Sequence, residues 1–407
     1  MGITKNARAA LLLEPLLGIP TTMYMGYMTL YMLAIGLTKV EVGIVTSIGL
    51  TFNFIFASQG AYITDRLGRR KTTLIFDTIS WALAQLIWAT ANSMLAFVIA
   101  YIVNASVQIV SNSFLCLILE DNESEKKIHI FNFLQISVIL AGFFAPIGII
   151  LINKMTLIPA VRTMQMFGMI SVLVLIISRH LLVRETSIGI QKMNEMKDVR
   201  ITQIYKAYIP TFKRIIKNRM LVLVLFLRVL NQIQLTIRNT YLAILVTERM
   251  GFAAGNMSIF FTVNSIVILL VILFVSPVIS KSKSRRPIVL GISVHISATI
   301  ILLISPETHN YLLLVLGAVL VAFGTALTTP YIDSLAANTI VDEDRAASNS
   351  VISMAMMLFT IPFGYIGGIL SDFDPRTPFV LTFVVFILCL VIVGIIVKND
   401  KRVRVNN

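Results

Sequence analysis

The chain has 407 residues, of which 57% are hydrophobic and only 13% charged, against about 25% charge in a soluble domain. With a mean hydropathy of +0.86, this composition excludes a water-soluble fold and predicts a polytopic membrane protein. The net charge of +14 falls between apolar runs and not in a basic, aromatic-interleaved domain, so it predicts topology and no nucleic-acid partner.

Lys5 and Arg8 precede an apolar stretch that runs to about Leu37. It has no small-residue cleavage pattern, so it reads as a first membrane helix and not as a signal peptide. Continuing along the chain, apolar runs bounded by charged residues or by Pro, Gly and Asn predict twelve spans. They cover about 9–36, 40–63, 72–91, 94–119, 128–152, 159–183, 219–247, 254–280, 287–305, 310–338, 348–371 and 376–397. Each is long enough to cross the hydrocarbon core as a helix. With a cytoplasmic N-terminus, only Lys39, Lys154, Arg162, Arg249 and Arg376 fall outside, and Arg228 and Arg238 lie within spans. The other Lys and Arg gather on the inner side, which sets the orientation and places both termini in the cytoplasm.

The longest polar insert, from about Arg184 to Arg219, separates the sixth and seventh spans and holds ten cationic residues when Arg179 is counted with it. Within it Ile201, Ile204, Tyr205, Tyr208, Phe212, Ile215 and Ile216 recur at helical spacing among Lys206, Lys213, Arg214 and Lys217. That pattern predicts a basic amphipathic helix on the inner leaflet. The chain therefore divides into an N-terminal bundle over 1–184, a linker over 185–218 and a C-terminal bundle over 219–407. The halves repeat weakly: "LAIGLTKVEVG" at 33–43 aligns with "TERMGFAAGNMS" at 247–258 on Gly36 and Gly251, and "APIGIIL" at 145–151 aligns with "GYIGGIL" at 364–370. Six spans plus six, joined by a cytoplasmic linker, is the pattern of parallel transporter repeats.

One short turn departs from this economy of charge. "GAYITDRLGRRKTTL" at 60–74 carries Asp65, Arg66, Arg69, Arg70 and Lys71 between the second and third spans. It resembles the motif of the major facilitator superfamily, roughly G-x-L-x-D-R-x-G-R-[KR], in the same loop. Asp65, Arg66, Gly68, Arg69 and Arg70 match, Ile63 stands for the Leu, and Ala61 replaces the first Gly. The resemblance implies an all-α membrane protein with twelve transmembrane helices in two six-helix bundles related by pseudo-twofold symmetry. It also implies that this loop clamps the bundles on the cytoplasmic side in the outward-open state. On physical grounds Asp65, at a helix C-terminus, needs a cation to offset the dipole, and Arg66, Arg69 and Arg70 are in reach. The matching second-half loop, "KSKSRRP" at 281–287, has Lys281 where Asp65 stands, so any lock is asymmetric. Two departures bear on drug exporters of the superfamily: the fourth span has no Arg, and the fifth and eleventh carry only the partial runs "AGFFAPIG" and "IPFGYIGG".

The resemblance further implies that the first, fourth, seventh and tenth helices line a central cavity. On the seventh, Arg228, Asn231, Gln232, Gln234, Arg238 and Asn239 fall within an arc of about 160°, and a polar stripe that wide must face water or protein. Arg228 and Asp333 each lie roughly 13 Å from the inner boundary at about 1.5 Å per residue. They are expected to pair, with Asn112 of the fourth span at nearly the same level and Gln108 one turn above it. Arg238 lacks an evident acidic partner on its own helix and suits an anionic ligand group. Glu14 is either an acid near a helix N-terminus or a proton-exchanging carboxylate. Asp77 is expected to support the 65–71 loop, and His295 to be a packing histidine. Met23, Met25, Met28 and Met32, with Tyr24, Tyr27 and Tyr31, give the first span side chains able to repack around varied apolar ligands.

No nucleotide-binding, hydrolase or metalloprotease motif occurs, and Cys116 and Cys389 form no metal-ligand spacing. No enzyme activity, cofactor or metal is expected. The reading is a secondary transporter in the plasma membrane, monomeric, moving a small organic solute. A proton-coupled exporter of amphiphilic compounds, with Glu14 or Asp333 exchanging the proton, leads; an uptake carrier for an organic anion or sugar-like solute, argued from Arg228 and Arg238, stands beside it.

Overall fold

The computed structural model describes residues 3–275, 286–304, 310–340 and 345–405. Among these the chain is helical throughout, with no strand. It divides into two compact units, Met1–Lys206 and Ala207–Asn407, so the division falls inside the basic insert. Among the described residues ten helices are long and apolar enough to span a membrane. The predicted spans at 9–36 and 72–91 are helical too, but each is broken, and the breaks have local causes.

In the first span Pro15 has no N–H to give, so the helix Lys5–Leu13 ends and a new one, Pro15–Tyr24, begins. Glu14 sits at that joint. A 3-10 turn, Met25–Tyr27, then leads into Met28–Ile35, which stops at Gly36 with φ of 109°. In the third span the helix Arg69–Asp77 widens into a π-helical turn, Thr78–Leu83, before Ala84–Thr90. Asn104 of the neighbouring helix donates its side-chain amide to the Ser80 carbonyl at 2.8 Å, occupying an acceptor in that turn.

The second span, Lys39–Leu67, starts with a full capping box: Thr38 accepts from the Glu41 N–H, and the Glu41 side chain accepts from the Thr38 N–H. It ends at Gly68, whose φ of 86° is a conformation L side chains rarely adopt. The insert forms two helices, Ser187–Glu195 and Ile201–Lys217. The second is the predicted amphipathic one, with Ile209, Phe212 and Ile216 about half exposed and Ile215 buried.

Large apolar side chains stand outward on many spans, among them Leu95, Val138, Leu181 and Phe373. Patches of that kind are untenable in water and ordinary against lipid tails. Inside, the sequence repeat has a structural counterpart. Gly36 and Gly251, the aligned pair, both take positive φ. Gly148 lies against Tyr27 of the first span, where an added Cβ would fall 2.7 Å from ring Cε2; Gly367 lies against Tyr241 of the seventh in the same manner. Each half thus seats a tyrosine on a glycine of a later span. The Met and Tyr cluster of the first span is mostly this kind of packing: Met23, Tyr24, Tyr27, Met28, Tyr31 and Met32 are buried, and only Met25 stands well exposed.

Candidate functional site

The charged turn is built from the helix ends it joins. Gly68 reverses the chain, and the new helix starts at Arg69 with its first backbone N–H groups unpaired within the helix. Glu185, just past the sixth span, supplies the missing acceptor: Oε1 takes the Arg69 N–H and Oε2 the Arg70 N–H, both at 3.0 Å. A carboxylate there also answers the positive end of the helix dipole. The Arg69 guanidinium, almost fully buried, is bound by Glu120 at 2.7–3.1 Å and forms an ion pair with Asp65 at 2.9 Å. Burial opposes its charge, but the two carboxylates outweigh that and hold its pKa above the ordinary arginine value. Thr186 closes the ring by donating to Glu120 Oε2 at 2.6 Å.

Of the three arginines expected around Asp65, only Arg69 pairs with it. Arg66 turns to the Tyr62 hydroxyl, and Arg70 donates to the His180 carbonyl at 2.6 Å. The reason is geometric: Arg69 is one helical turn from Asp65, whereas Arg70 faces the sixth span. The comparison with 281–287 falls largely outside the described residues, since 281–285 are not among them.

A second charged cluster lies deeper. Arg179, from the helix Leu157–Leu182, donates Nη1 to Asp77 Oδ2 and Nη2 to Glu14 Oε1, each at 2.6 Å. Phe114 covers the guanidinium, with its ring centroid 4.7 Å away. One expectation is corrected here. Asp77 does not support the 65–71 loop; its carboxylate is taken by Arg179. Glu14 does lie at a helix N-terminus, that of Pro15–Tyr24, and it shares the same arginine. Arg179, grouped with the basic insert by its position near the boundary, belongs to the membrane helix.

In the second unit, Arg228 Nη2 lies 2.9 Å from Asp333 Oδ1, as their equal depth predicts. Asp333 is 52% exposed, and Arg228 17%. The polar stripe of the helix Arg219–Ile244 is divided: Asn231 and Gln234 are buried and bonded to each other at 3.2 Å, Gln232 is half-buried, and Asn239 is exposed. Arg238 donates to the Thr325 hydroxyl at 3.1 Å. His295 is buried, stacked on Phe386 with centroids 4.8 Å apart and rings nearly parallel. In the first unit, Gln108 donates to Asn53 Oδ1 at 3.3 Å and Asn112 lies one turn before Cys116, both half-buried.

The pair Arg228–Asp333 yields a prediction. With its carboxylate half exposed, the pair contributes only about 0–1 kcal/mol of stability. Arg228→Asp and Asp333→Arg singly are expected to leave the unfolding midpoint nearly unchanged while transport falls, and the combined swap to recover transport. Transport in the swap no better than in either single variant refutes the pair's part in function.

Sequence reasoning overlooked Glu185, Glu120 and Arg179 as partners. Arg179 carried a signal, an ionisable residue inside an apolar run. Glu185 carried a weaker one, an acid at the head of a strongly basic insert.

A chain helical throughout its described residues, with ten apolar membrane-length helices among them and a charged inter-helix turn, is a multi-pass membrane protein. It belongs to the Major Facilitator Superfamily, whose family model matches residues 16–308 and 224–407. Among solved structures it is similar to a single-residue mutant of the nucleoside transporter NupG, at 16% identity and a TM-score of 0.72 over 95% of this chain and 98% of that one. It is also similar to a POT family transporter in complex with 5-aminolevulinic acid, at 15% identity and a TM-score of 0.71 over 97% and 96%. A mutant of a peptide transporter POT aligns at 12% identity and a TM-score of 0.70 over 98% and 94%. No curated protein matches the chain. The chain is thus a secondary transporter and not an enzyme, and at these identities the solved structures define its fold alone.

Proposed function

We propose that this transporter is a proton-coupled exporter of amphiphilic compounds, working by alternating access in the plasma membrane with both termini cytoplasmic. The observation that carries the reading is Asp333: half exposed within a membrane helix, ion-paired, and therefore facing water, since lipid cannot satisfy it. A charged group so placed is open to solute or proton. Asp333, with Arg228, Gln232 and Asn239 on the facing part of the seventh helix, forms the solute-binding side in the C-terminal half; Gln108 and Asn112 supply polar groups in the N-terminal half. Glu14 or Asp333 exchanges the proton. The Arg69 network, with Asp65, Arg66, Gly68 and Arg70, holds the cytoplasmic gate. The protein acts as a monomer, and the basic helix Ile201–Lys217 rests on anionic lipid.

A second reading is favoured by Arg238, bonded to a threonine hydroxyl and to no described carboxylate. A membrane-helix cation with no counter-ion among the described residues suits an organic anion, and so an uptake carrier. Thermal stabilisation of the purified protein by a library of lipophilic cations, sugars and organic anions, at two pH values, separates the readings. Shallow shifts by many lipophilic compounds, altered in Asp333→Asn, support export. Selective stabilisation by anions, lost in Arg238→Ala, overturns it in favour of uptake.

A further inference from the structure

The cluster Glu14–Arg179–Asp77 holds two carboxylates on one guanidinium. With both ionised it carries one uncompensated negative charge, in a place where Asp77 and Arg179 are nearly inaccessible, at 4% and 6% side-chain exposure. An unbalanced buried charge is costly, and one proton cancels it. Two further observations point to water beside the cluster, through which a proton can pass. Arg179 is nine-tenths buried, yet its Nε–H has no acceptor among the described residues, so the arginine does not complete its own bonding within the cluster. And Asp77 and Arg179 line a cavity of about 10 Å³, close to the room one water needs.

That cavity leads outward. Its far wall is Arg70 and His180, and the same two residues line a cleft of about 560 Å³ on the side of the charged turn, with Lys71 and Glu185. His180 Nδ1 has no partner among the described residues, while its Nε2 lies 3.4 Å from Arg70 Nη2. His180 thus stands, with one ring nitrogen unpaired among the described residues, at the wall that cavity and cleft share. The π-helical turn that follows Asp77 marks the same spot, a backbone irregularity common at functional sites.

We propose that Glu14 and Asp77, joined by Arg179, bind a single proton between them, and that it travels to and from the cytoplasm through the small cavity beside His180. Binding is a plain transfer: hydronium gives its proton to one carboxylate oxygen, leaving water and a carboxylic acid hydrogen-bonded to the guanidinium. The reverse step passes the proton to cavity water and His180. The two carboxylates act as one titrating unit, because whichever is protonated leaves the other in a balanced pair with Arg179. The charged groups that face them are few. Arg179 and Asp77 face Glu14, Arg179 faces Asp77, and Arg70 and His180 stand across the cavity. Of the nearby helices, Glu120 is committed to Arg69 and Thr186, Lys126 to Glu123, and His129 is exposed.

The site gives the proton-coupled reading its proton carrier and rests on that reading only for its use in transport; binding is measured without any solute. Infrared difference spectra of the full chain in lipid nanodiscs, between neutral and acidic pH, report newly formed carboxylic acid. The wild type is expected to gain a carboxylic acid C=O band that is lost in Glu14→Gln and equally in Asp77→Asn. In either variant the remaining carboxylate is balanced by Arg179 and stays ionised. Both substitutions imitate the protonated form, so folding is preserved. Arg179→Lys keeps the cation and keeps the band, and His180→Phe leaves its size unchanged but slows its appearance after a pH jump. A band unchanged in both Glu14→Gln and Asp77→Asn overturns the site, and so does a band removed by Asp333→Asn instead. If the band behaves as expected but no lipophilic compound stabilises the protein, the exporter reading falls and the proton site stands.

Discussion

Replacing Arg179 with Met is expected to lower the stability of the first unit sharply. The substitution leaves Glu14 and Asp77 facing each other without the cation that lies 2.6 Å from each. Removing one member of a buried ionic group costs roughly 3–5 kcal/mol, mainly because the partner charges stay buried and uncompensated. The loss is read as a fall in the unfolding midpoint of the purified protein, followed by two probes. The triple variant Arg179→Met, Glu14→Gln, Asp77→Asn is expected to recover most of it, since no net charge remains to be buried. If Arg179→Met alone unfolds at the wild-type midpoint, the cluster is hydrated and the charge argument fails. The pair Arg228–Asp333, whose carboxylate is half exposed, offers the contrast: the same chemistry is expected there to be nearly neutral for stability.

How much of this was legible in the sequence follows from the range of each interaction. Hydropathy and charge placement are properties of long windows, so the spans, the insert and the superfamily could be read directly. The helical period is regular over many turns, so the equal depth of Arg228 and Asp333 was sound arithmetic, and the two side chains meet. Pairings that depend on how one helix is rotated against another were beyond it. Nothing in "GAYITDRLGRRKTTL" says that Arg70 faces the sixth span while Arg69 faces the fourth. Nothing near Asp77 names Arg179 as its partner, because the two are far apart in sequence and meet only once the third and sixth spans pack. Pro15 was a visible helix breaker, yet its effect, presenting Glu14 to the bundle interior, needs the break and the neighbour together. Periodicity was least informative for the Met and Tyr cluster of the first span: bulky side chains at helical spacing read alike whether they line a cavity or fill a core, and these mostly fill a core.

The repeat between the halves gives the second large effect. Gly367→Ala is expected to destabilise the second unit, because a Cβ there collides with the ring of Tyr241, and that ring cannot step aside. Tyr241 is fully buried, and its hydroxyl donates to the Gly364 carbonyl at 2.5 Å, so the side chain is fixed at both ends. Overpacking of this kind costs about 1–3 kcal/mol, set against a helix-propensity gain of roughly 1 kcal/mol from replacing glycine. The net sign is therefore decided by whether the ring can move, and the hydroxyl bond says that it cannot. Gly367→Ala combined with Tyr241→Leu tests this: the smaller side chain admits the methyl, and the pair should be more stable than Gly367→Ala alone. Gly148→Ala should behave alike in the first unit, where the added Cβ meets both the Tyr27 ring and the Met23 backbone carbonyl at 2.7 Å. A midpoint for Gly367→Ala at or above the wild type would mean that the tyrosine seat yields. The glycines at 148 and 367 would then reflect the repeat's shared origin and not a packing demand that both halves still obey.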